Sequence, residues 1–485
     1  MSNPDIQRIA KEHPHLLRFL KKRLNRQDIS GLFLTLAVLI SLYILFLFFG
    51  LIQDILTADP IAFLDVNITS LLYTFRNPIL VDIFYWITLL GNWQVILSIF
   101  IISSILLWLW QKKNYLAPFW LGFIGNNLFV YLTKIIVHRP RLQTEAIYVS
   151  DSFSFPSGHA ALSFFIYGFL AYVLIKGAKK KKQKLLITLI AILLIALIGF
   201  SRLYLGMHLL SDVLAGYLSG AFWLVVTITL YQWLQIFEPA PLKKKDIKKR
   251  KTLTIFLILF QIGFFLIFAF TYNPAPNQPA TKGTQTINSS DIINLFQGDN
   301  ALPQFTETPA GRIQEPISFI IIAPDAQTMI KAFEDSGWYL ADPPTLEATF
   351  KLLDTAILNQ EYTTAPVTPS FWHAQVNSYG FEKPTDSQTV RTRHHTRFWT
   401  TDYVTENGQM IFVGTASLDE GLKWLITHQI SPDLDTEREY IFNDLQNAGK
   451  IDNYTKEQFI NPKLGQNFSG DLFFTDGKIY ILYLK

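Results

Sequence analysis

Ile29 to Gln53 runs for 25 residues without a charged side chain. At about 1.5 Å of helical rise per residue, such a run exceeds the roughly 30 Å hydrocarbon core of a bilayer. The chain is therefore expected to cross a membrane here. Six further apolar runs, near 92 to 110, 115 to 137, 158 to 175, 185 to 201, 209 to 235 and 252 to 271, carry few or no charges in their middles, which predicts seven spanning helices. Half of the 485 residues are hydrophobic and 40 are Phe, more apolar surface than an ordinary globular protein of this length needs. Residues 61 to 90 are also apolar but hold Asp65, Arg76, Pro78 and Asp82, so they are expected as interfacial or re-entrant helices outside the bilayer core.

The net charge of +4 says little by itself, because the basic residues are clustered. Arg8, Lys11, Arg18, Lys21, Lys22, Arg23 and Arg26 precede the first run, and Lys112 and Lys113 separate the second from the third. Lys176 and Lys179 to Lys182 follow the fourth, and Lys243 to Lys245 with Lys248, Lys249, Arg250 and Lys251 follow the sixth. With seven spans all four clusters fall on one side, which the positive-inside rule makes the cytoplasm; the N-terminus is then inside and the C-terminus outside. Juxtamembrane Lys clusters of this kind set topology and meet anionic lipid, so no nucleic-acid partner is expected. The first run is too long for a cleaved signal peptide and lacks a small-residue cleavage site, so it is expected to stay as an anchor in a multi-pass plasma (inner) membrane protein. There is no Cys, which rules out disulfides and thiolate metal sites.

Chemistry concentrates in three stretches: Lys134 with Arg141, then Pro156-Ser157-Gly158-His159, then Ser201-Arg202 with His208 and Asp212. They supply three cations, two histidines and a carboxylate, a set suited to holding and breaking a phosphate ester. Each stretch alone is weak. On the topology read from the Lys clusters, however, all three reach the same extracytoplasmic face. That accounts for Arg139, Arg141 and Arg202 on a side the positive-inside rule leaves poor in cations.

Written as Lys-x6-Arg, Pro-Ser-Gly-His and Ser-Arg-x5-His-x3-Asp, the stretches resemble the type 2 phosphatidic acid phosphatase (PAP2) superfamily, over roughly residues 30 to 236. The resemblance implies a phosphate clamp of Lys134, Arg141 and Arg202, with Ser157 and Gly158 at a helix N-terminus adding amide and hydroxyl donors. It implies His208 as nucleophile, Asp212 fixing its tautomer, and His159 as general acid and then base, with no metal and no cofactor. One departure is that Leu142 follows Arg141 where the family usually has Pro, so that Arg139-Pro140 offers a second register. Arg139 reads equally as a second phosphate or headgroup contact and as a solvated neighbour. Tyr148 and the segment to Phe155 are expected as a loop over the site.

After the last run, the Pro-rich, small-polar stretch from Asn273 reads as a linker. Beyond it, strand signals lie at Ile317 to Ala323, Thr389 to Trp399 and Met410 to Ala416, and helix signals at Ala326 to Asp335, Leu346 to Leu358 and Asp433 to Leu445. Asp476-Gly477 between two apolar runs predicts a tight hairpin. Ala365-Pro366-Val367, the Arg393 to Trp399 run and the Asp433 to Arg438 run resemble the LssY-type C-terminal domain found fused to such phosphatases. His373, His394, His395, His428, Asp433 and Asp435 offer material for a metal or second hydrolytic site, but a strand-face and surface reading serves them as well, and none is taken as a site residue.

The expected organisation is a basic cytoplasmic N-terminus (1–28), an all-α polytopic membrane domain of the PAP2 type (29–236), a basic loop with the last span (237–271), a linker (272–289) and a soluble α/β or α+β extracytoplasmic domain (290–485). The expected function is hydrolysis of a phosphomonoester or pyrophosphate on a membrane lipid, of the phosphatidic acid, phosphatidylglycerophosphate or undecaprenyl pyrophosphate type. Its partners would be the lipid phosphate, the membrane and an envelope component met by the C-terminal domain. The alternatives are a lipid phosphotransferase, or a non-catalytic envelope or export component acting through that domain.

Overall fold

The structure, a computed structural model, describes residues 15, 19, 22–25, 29–57, 60–141, 146–148, 152–234, 244–277, 283–298, 301–358, 360–389, 392–423, 427–467 and 470–485. Arg8, Lys11, Arg18, Lys21, Arg26, Leu142, Lys243 and part of the expected linker lie outside these residues. The chain divides into two compact units, Met1–Asp59 with Asn77–Pro279, and Pro60–Arg76 with Ala280–Lys485.

A π-helical turn at Ile29–Phe33 opens into α1 (Leu34–Thr57). The next helix, α2 (Pro60–Thr74), belongs to the second unit. The first unit continues with α3 (Pro78–Leu89), α4 (Trp93–Leu109), α5 (Leu116–Val137), α6 (Gly158–Gly177), α7 (Lys181–Tyr204), α8 (Leu210–Trp233) and α9 (Lys244–Thr271). Six of these are long and apolar enough to cross a membrane, and α3 with α4, meeting at a 40° bend, make a seventh if taken as one broken span. The sequence reading expected a span near 92 to 110 and interfacial or re-entrant helices over 61 to 90, and the bent pair is a broken span or a re-entrant loop. Two asparagines divide that stretch, each starting a helix by accepting a backbone N–H, Asn77 from Leu80 and Asn92 from Gln94.

Close helix packing in the first unit rests on small residues. A Cβ at Gly216 of α8 would lie 2.5 Å from the Ser157 carbonyl oxygen, and one at Gly220 would lie 2.5 Å from that of Ala161. The Gly216-x3-Gly220 pair thus lets α8 pass directly against the start of α6, as small residues do in membrane helix pairs. Asn126 of α5 ties the same place together, donating to the Ala161 carbonyl and accepting from the Ser219 hydroxyl at 2.8 Å. Phe100, Phe119, Phe165 and Phe169 fill the core between α4, α5 and α6.

The second unit is built on a mixed nine-stranded sheet. Its strands are β1 (Gln285–Ile287), β4 (Phe319–Ala323), β5 (Tyr339–Leu340), β8 (Tyr379–Thr389), β9 (Thr392–Thr405), β10 (Met410–Lys423), β11 (Thr427–Ile430), β12 (Ile451–Gln458) and β15 (Lys478–Leu484). The order is β12-β15-β4-β10-β9-β8-β5, with β1 beside β9 and β11 beside β10. The central strand β4, Phe-Ile-Ile-Ile-Ala, is buried on both faces. Its Phe319 and Ile321 pack with α10 (Ala326–Asp335) and α12 (Leu434–Asn447); its Ile320 and Ile322 pack the other way, with Trp399, Val413 and Trp372. A small sheet joins β2 (Phe305–Glu307), β3 (Ile313–Pro316), β6 (Phe371–Trp372) and β7 (Gln375–Val376). Against it lies α2, whose Asn67 donates to the Pro309 carbonyl at 3.0 Å. α11 (Leu346–Leu358) completes the helices.

The expected strands are present as β4, β9 and β10, although β10 runs on to Lys423, because β9 pairs it as far as Asp419 and β11 takes over from Asp419 to Lys423. The expected hairpin at Asp476-Gly477 is not one: β14 (Leu472–Thr475) pairs with β13 (Lys463–Gln466), while β15 pairs with β12 and β4. Helix α12 holds the corner instead, with Asp435 accepting the Asp476 N–H at 2.6 Å and Arg438 donating to the Asp476 carboxylate at 2.8 Å.

Candidate active site

The end of α7 folds back on itself. Gly206 takes a positive φ of 68°, a conformation costly for any other residue, and the N–H groups of Met207 and His208 both return to the Arg202 carbonyl. His208 is thereby set beside the Arg202 turn, immediately before α8. Asp212, one turn into α8, is fully buried, and its Oδ2 lies 3.2 Å from His208 Nδ1 while accepting the Leu209 N–H at 3.1 Å. Its Oδ1 accepts from Arg139 at 2.9 Å, and Arg139 also donates to the Ser211 hydroxyl at 2.6 Å. With its carboxylate so occupied, Asp212 holds the proton on Nδ1 and leaves Nε2 with its lone pair. Nε2 lies 3.4 Å from Arg141 Nη1. Burial first, then the positive charges of Arg141, Arg202 and Lys134, hold the His208 imidazole well below its ordinary pKa, so the ring is neutral at neutral pH.

Six of the eight residues anticipated for the site, Lys134, Arg141, Gly158, His159, Arg202 and His208, line one cavity of about 270 Å³. The other two stand behind it. Asp212 backs His208, and Ser157, the N-cap of α6, is tied to α8 by its own N–H, which donates to the Asp212 carbonyl at 2.9 Å. The cations are positioned by the loop between α5 and α6. Arg141 Nε donates to the Ser152 carbonyl at 2.7 Å and Nη1 to that of Met207, while Lys134 Nζ reaches the Phe153 and Ser154 carbonyls. Arg202 donates to the Thr88 hydroxyl at 3.0 Å. Two buried polar atoms here, Arg202 Nε and Ser157 Oγ, have no hydrogen-bond partner among the described residues. An anion in the cavity is the natural complement to such a set of donors.

Arg139, which the sequence left between two readings, takes a third: it grips the carboxylate that orients His208, and Arg141 is the arginine that faces the cavity. Sequence reasoning missed Thr88, Gly91, Tyr85 and Tyr272. Tyr85 donates to the Tyr272 carbonyl at 2.5 Å and its ring lies 5.6 Å from that of Tyr148, which forms one wall. The first two sit on or beside α3, a segment whose charges had set it apart from the site. A Cβ on Gly91 would come 2.6 Å from Ile198 Cγ2 and 3.3 Å from the His159 ring, so the glycine lets α7 and His159 pack close to this turn.

Among the described residues, the histidines and aspartates set aside in the C-terminal half do not gather into one site. His394 pairs with Glu437 at 2.9 Å, His395 lies 3.3 Å from Asp419, and Asp433 caps α12. The side chain of His428 is outside the described set. Among the described residues no three His, Asp or Glu side chains are grouped to hold a metal ion.

Residues 115–236 match the model of the PAP2 superfamily, and residues 299–479 match that of the LssY C-terminus. Phosphatidylglycerophosphatase B of Bacillus subtilis (strain 168) is 30% identical over 177 residues, which cover 36% of this chain and 87% of that protein. Among solved structures, the transmembrane PAP2 type phosphatidylglycerolphosphate phosphatase from Bacillus subtilis aligns at 26% identity over 41% of this chain and 98% of its own, with a TM-score of 0.37. Aquifex aeolicus LpxE aligns at 28% identity over 35% of this chain and 95% of its own, with a TM-score of 0.26. On the relative's identity and coverage, with the family model that spans the cavity-forming helices α5 to α8, the chain belongs to the PAP2 superfamily, as a multi-pass membrane phosphatase of that type joined to an LssY C-terminus.

Proposed function

We propose that the first unit removes phosphate from a membrane lipid through a phosphohistidine on His208, without a metal ion. The observation that carries this reading is the convergence of Lys134, Arg141 and Arg202 on one cavity with a neutral, Asp212-oriented His208. His208 Nε2 attacks phosphorus, and the P–O bond to the lipid breaks as His159 gives its proton to the leaving alkoxide. His159 then takes a proton from water, the water oxygen attacks the phosphohistidine, and orthophosphate leaves with His208 neutral again. The three cations and the N–H groups at the start of α6 stabilise the charge that develops on the equatorial oxygens.

The substrate class is a lipid monophosphate or pyrophosphate, since a headgroup at the membrane surface with its tail in the bilayer reaches a cavity formed by helix ends. Phosphatidic acid, phosphatidylglycerophosphate and undecaprenyl pyrophosphate all fit, and the name of the Bacillus subtilis relative favours the second. The Lys clusters support an extracytoplasmic cavity in the plasma or inner membrane.

Detergent-purified protein incubated with these three lipids in EDTA tests the reading, beside His208→Ala. Release of orthophosphate that survives EDTA and is lost in the variant is expected, with acid-labile, base-stable label on the protein in a rapid quench. Release that EDTA abolishes, or that His208→Ala retains, overturns the mechanism. Label recovered in a second lipid instead of orthophosphate makes the enzyme a transferase.

A further inference from the structure

The second unit contains another cavity of about 270 Å³, and its lining includes Glu315, Arg393, His395, Arg397 and Asp419. Strand alternation accounts for the gathering. Arg393, His395 and Arg397 are successive residues on one face of β9. Ser417 of β10 and Glu382 of β8 stand opposite His395, and Asp419 stands opposite Arg393. This face is the one turned away from α10 and α12, since the intervening Phe398 packs in the core with those helices.

The charges are unevenly settled. Arg393 holds Glu382 at 2.5 Å and Asp419 at 3.5 Å, while Glu315 takes only the Ser417 hydroxyl at 3.1 Å. Arg397 meets none of the three carboxylates directly, although the charge of Glu315 acts on it before the others. Its Nε donates to the Thr368 carbonyl at 2.9 Å, but among the described residues no carboxylate comes within ion-pair distance of its guanidinium. His395 is 2% exposed, with Nδ1 3.3 Å from Asp419 Oδ1, and neither ring nitrogen has a hydrogen-bond partner of good geometry among the described residues. A guanidinium fork without a carboxylate beside a buried ring nitrogen without a partner is an incomplete set: buried charges are ordinarily paired and buried polar atoms bonded.

We propose that this cavity binds a small oxyanion that carries a neighbouring hydroxyl, the acid group on the Arg397 fork and the hydroxyl donating to His395 Nε2. The fork suits the two oxygens of a carboxylate or phosphate. The hydroxyl requirement follows from the ring. Burial holds His395 down to about 4 against the opposing pull of Asp419, so the imidazole is neutral near pH 7; the Asp419 carboxylate 3.3 Å from Nδ1 favours the proton on that nitrogen, which leaves Nε2 as the acceptor and the donor to the ligand. Hydroxycarboxylates and polyol phosphates share this chemistry, whether free in solution or as the headgroup of a lipid.

Isothermal titration of full-length protein in detergent micelles tests the site, with glycerate, glycerol 3-phosphate and short-chain phosphatidylglycerol as probes. Propionate lacks the hydroxyl and glycerol lacks the acid. At least one hydroxylated anion is expected to bind about tenfold or more tighter than either control, and binding confined to phosphatidylglycerol identifies a lipid headgroup. The binding should persist in His208→Ala, weaken by about tenfold or more in Arg397→Gln and in Arg397→Lys, which keeps the charge but not the fork, and lose its preference for glycerate over propionate in His395→Asn. No binding of any hydroxylated anion overturns the proposal. So does affinity unchanged in both Arg397 variants, or binding lost in His208→Ala, which assigns it to the membrane cavity.

Discussion

Each unit buries a histidine against an aspartate, and the two pairs are completed in opposite ways. In the membrane unit Asp212 is filled by His208, the Leu209 N–H and Arg139, and three further cations are turned to an open cavity. In the C-terminal unit Asp419 shares Arg393 with Glu382, so most of the charge on that face is cancelled within the sheet. The first arrangement keeps positive charge in reserve for a substrate that brings negative charge. The second spends its arginine on its own carboxylates and leaves one fork, Arg397, over. A similar pair of side chains can thus serve chemistry or cohesion, and the surrounding cations decide which.

The contrast is sharpest in the two aspartates. Asp212→Asn should lower kcat for phosphate release by about 1,000-fold or more with KM little changed, because an amide no longer holds the His208 tautomer. Asp419→Asn should be read in stability instead, costing about 3 kcal/mol in thermal or urea unfolding of the second unit, since it strips charge from a buried ion-pair network. Equal losses of phosphate release in the two variants would dissolve the comparison.

Next in size is Arg139→Gln. Arg139 acts on His208 only through Asp212, so the variant should lose about 100-fold in kcat through misalignment while KM for the lipid stays near that of the native enzyme. A matching rise in KM would place Arg139 on the phosphate instead.

The comparison also predicts an effect of pH. His395 has its proton affinity held down to about 4 in the folded unit, against an ordinary value near 6.5 when unfolded. The unfolded chain therefore binds the proton first, and the stability of the second unit should fall as pH drops from about 6.5 towards 4, by at most about 1.4 kcal/mol per pH unit. His395→Asn should flatten that limb. A slope unchanged by the substitution would show that another group carries it.

How far the two sites were legible follows from sequence distance. His208 and Asp212 are four residues apart across a helix start, and Lys134 and Arg141 flank the end of one helix, so local periodicity was enough to bring each group together. Arg139 was seen but not understood, because its partner lies 73 positions away. Thr88 and Gly91 carried no signal: an apolar helix with an acidic residue gives no hint that one threonine will meet Arg202. In the C-terminal half, helix α10 was readable over Ala326 to Asp335, the bounds it has, with Gly337 just beyond its end. The Asp476-Gly477 corner was misread as a hairpin because a turn signal specifies a change of direction and not which strands pair afterwards.

The sequence by itself determined that the chain crosses a membrane several times, since long uncharged runs have no other stable environment. It also determined which cations, imidazoles and carboxylate three short stretches can offer, since residue type sets what a side chain can donate, accept or hold. Only the tertiary structure decided which arginine faces the cavity and which holds Asp212, that α2 packs with the C-terminal unit, and that Arg393, His395 and Arg397 share a face with Asp419. Those outcomes depend on strand register and on close helix approach, which are settled by packing between segments far apart in the chain.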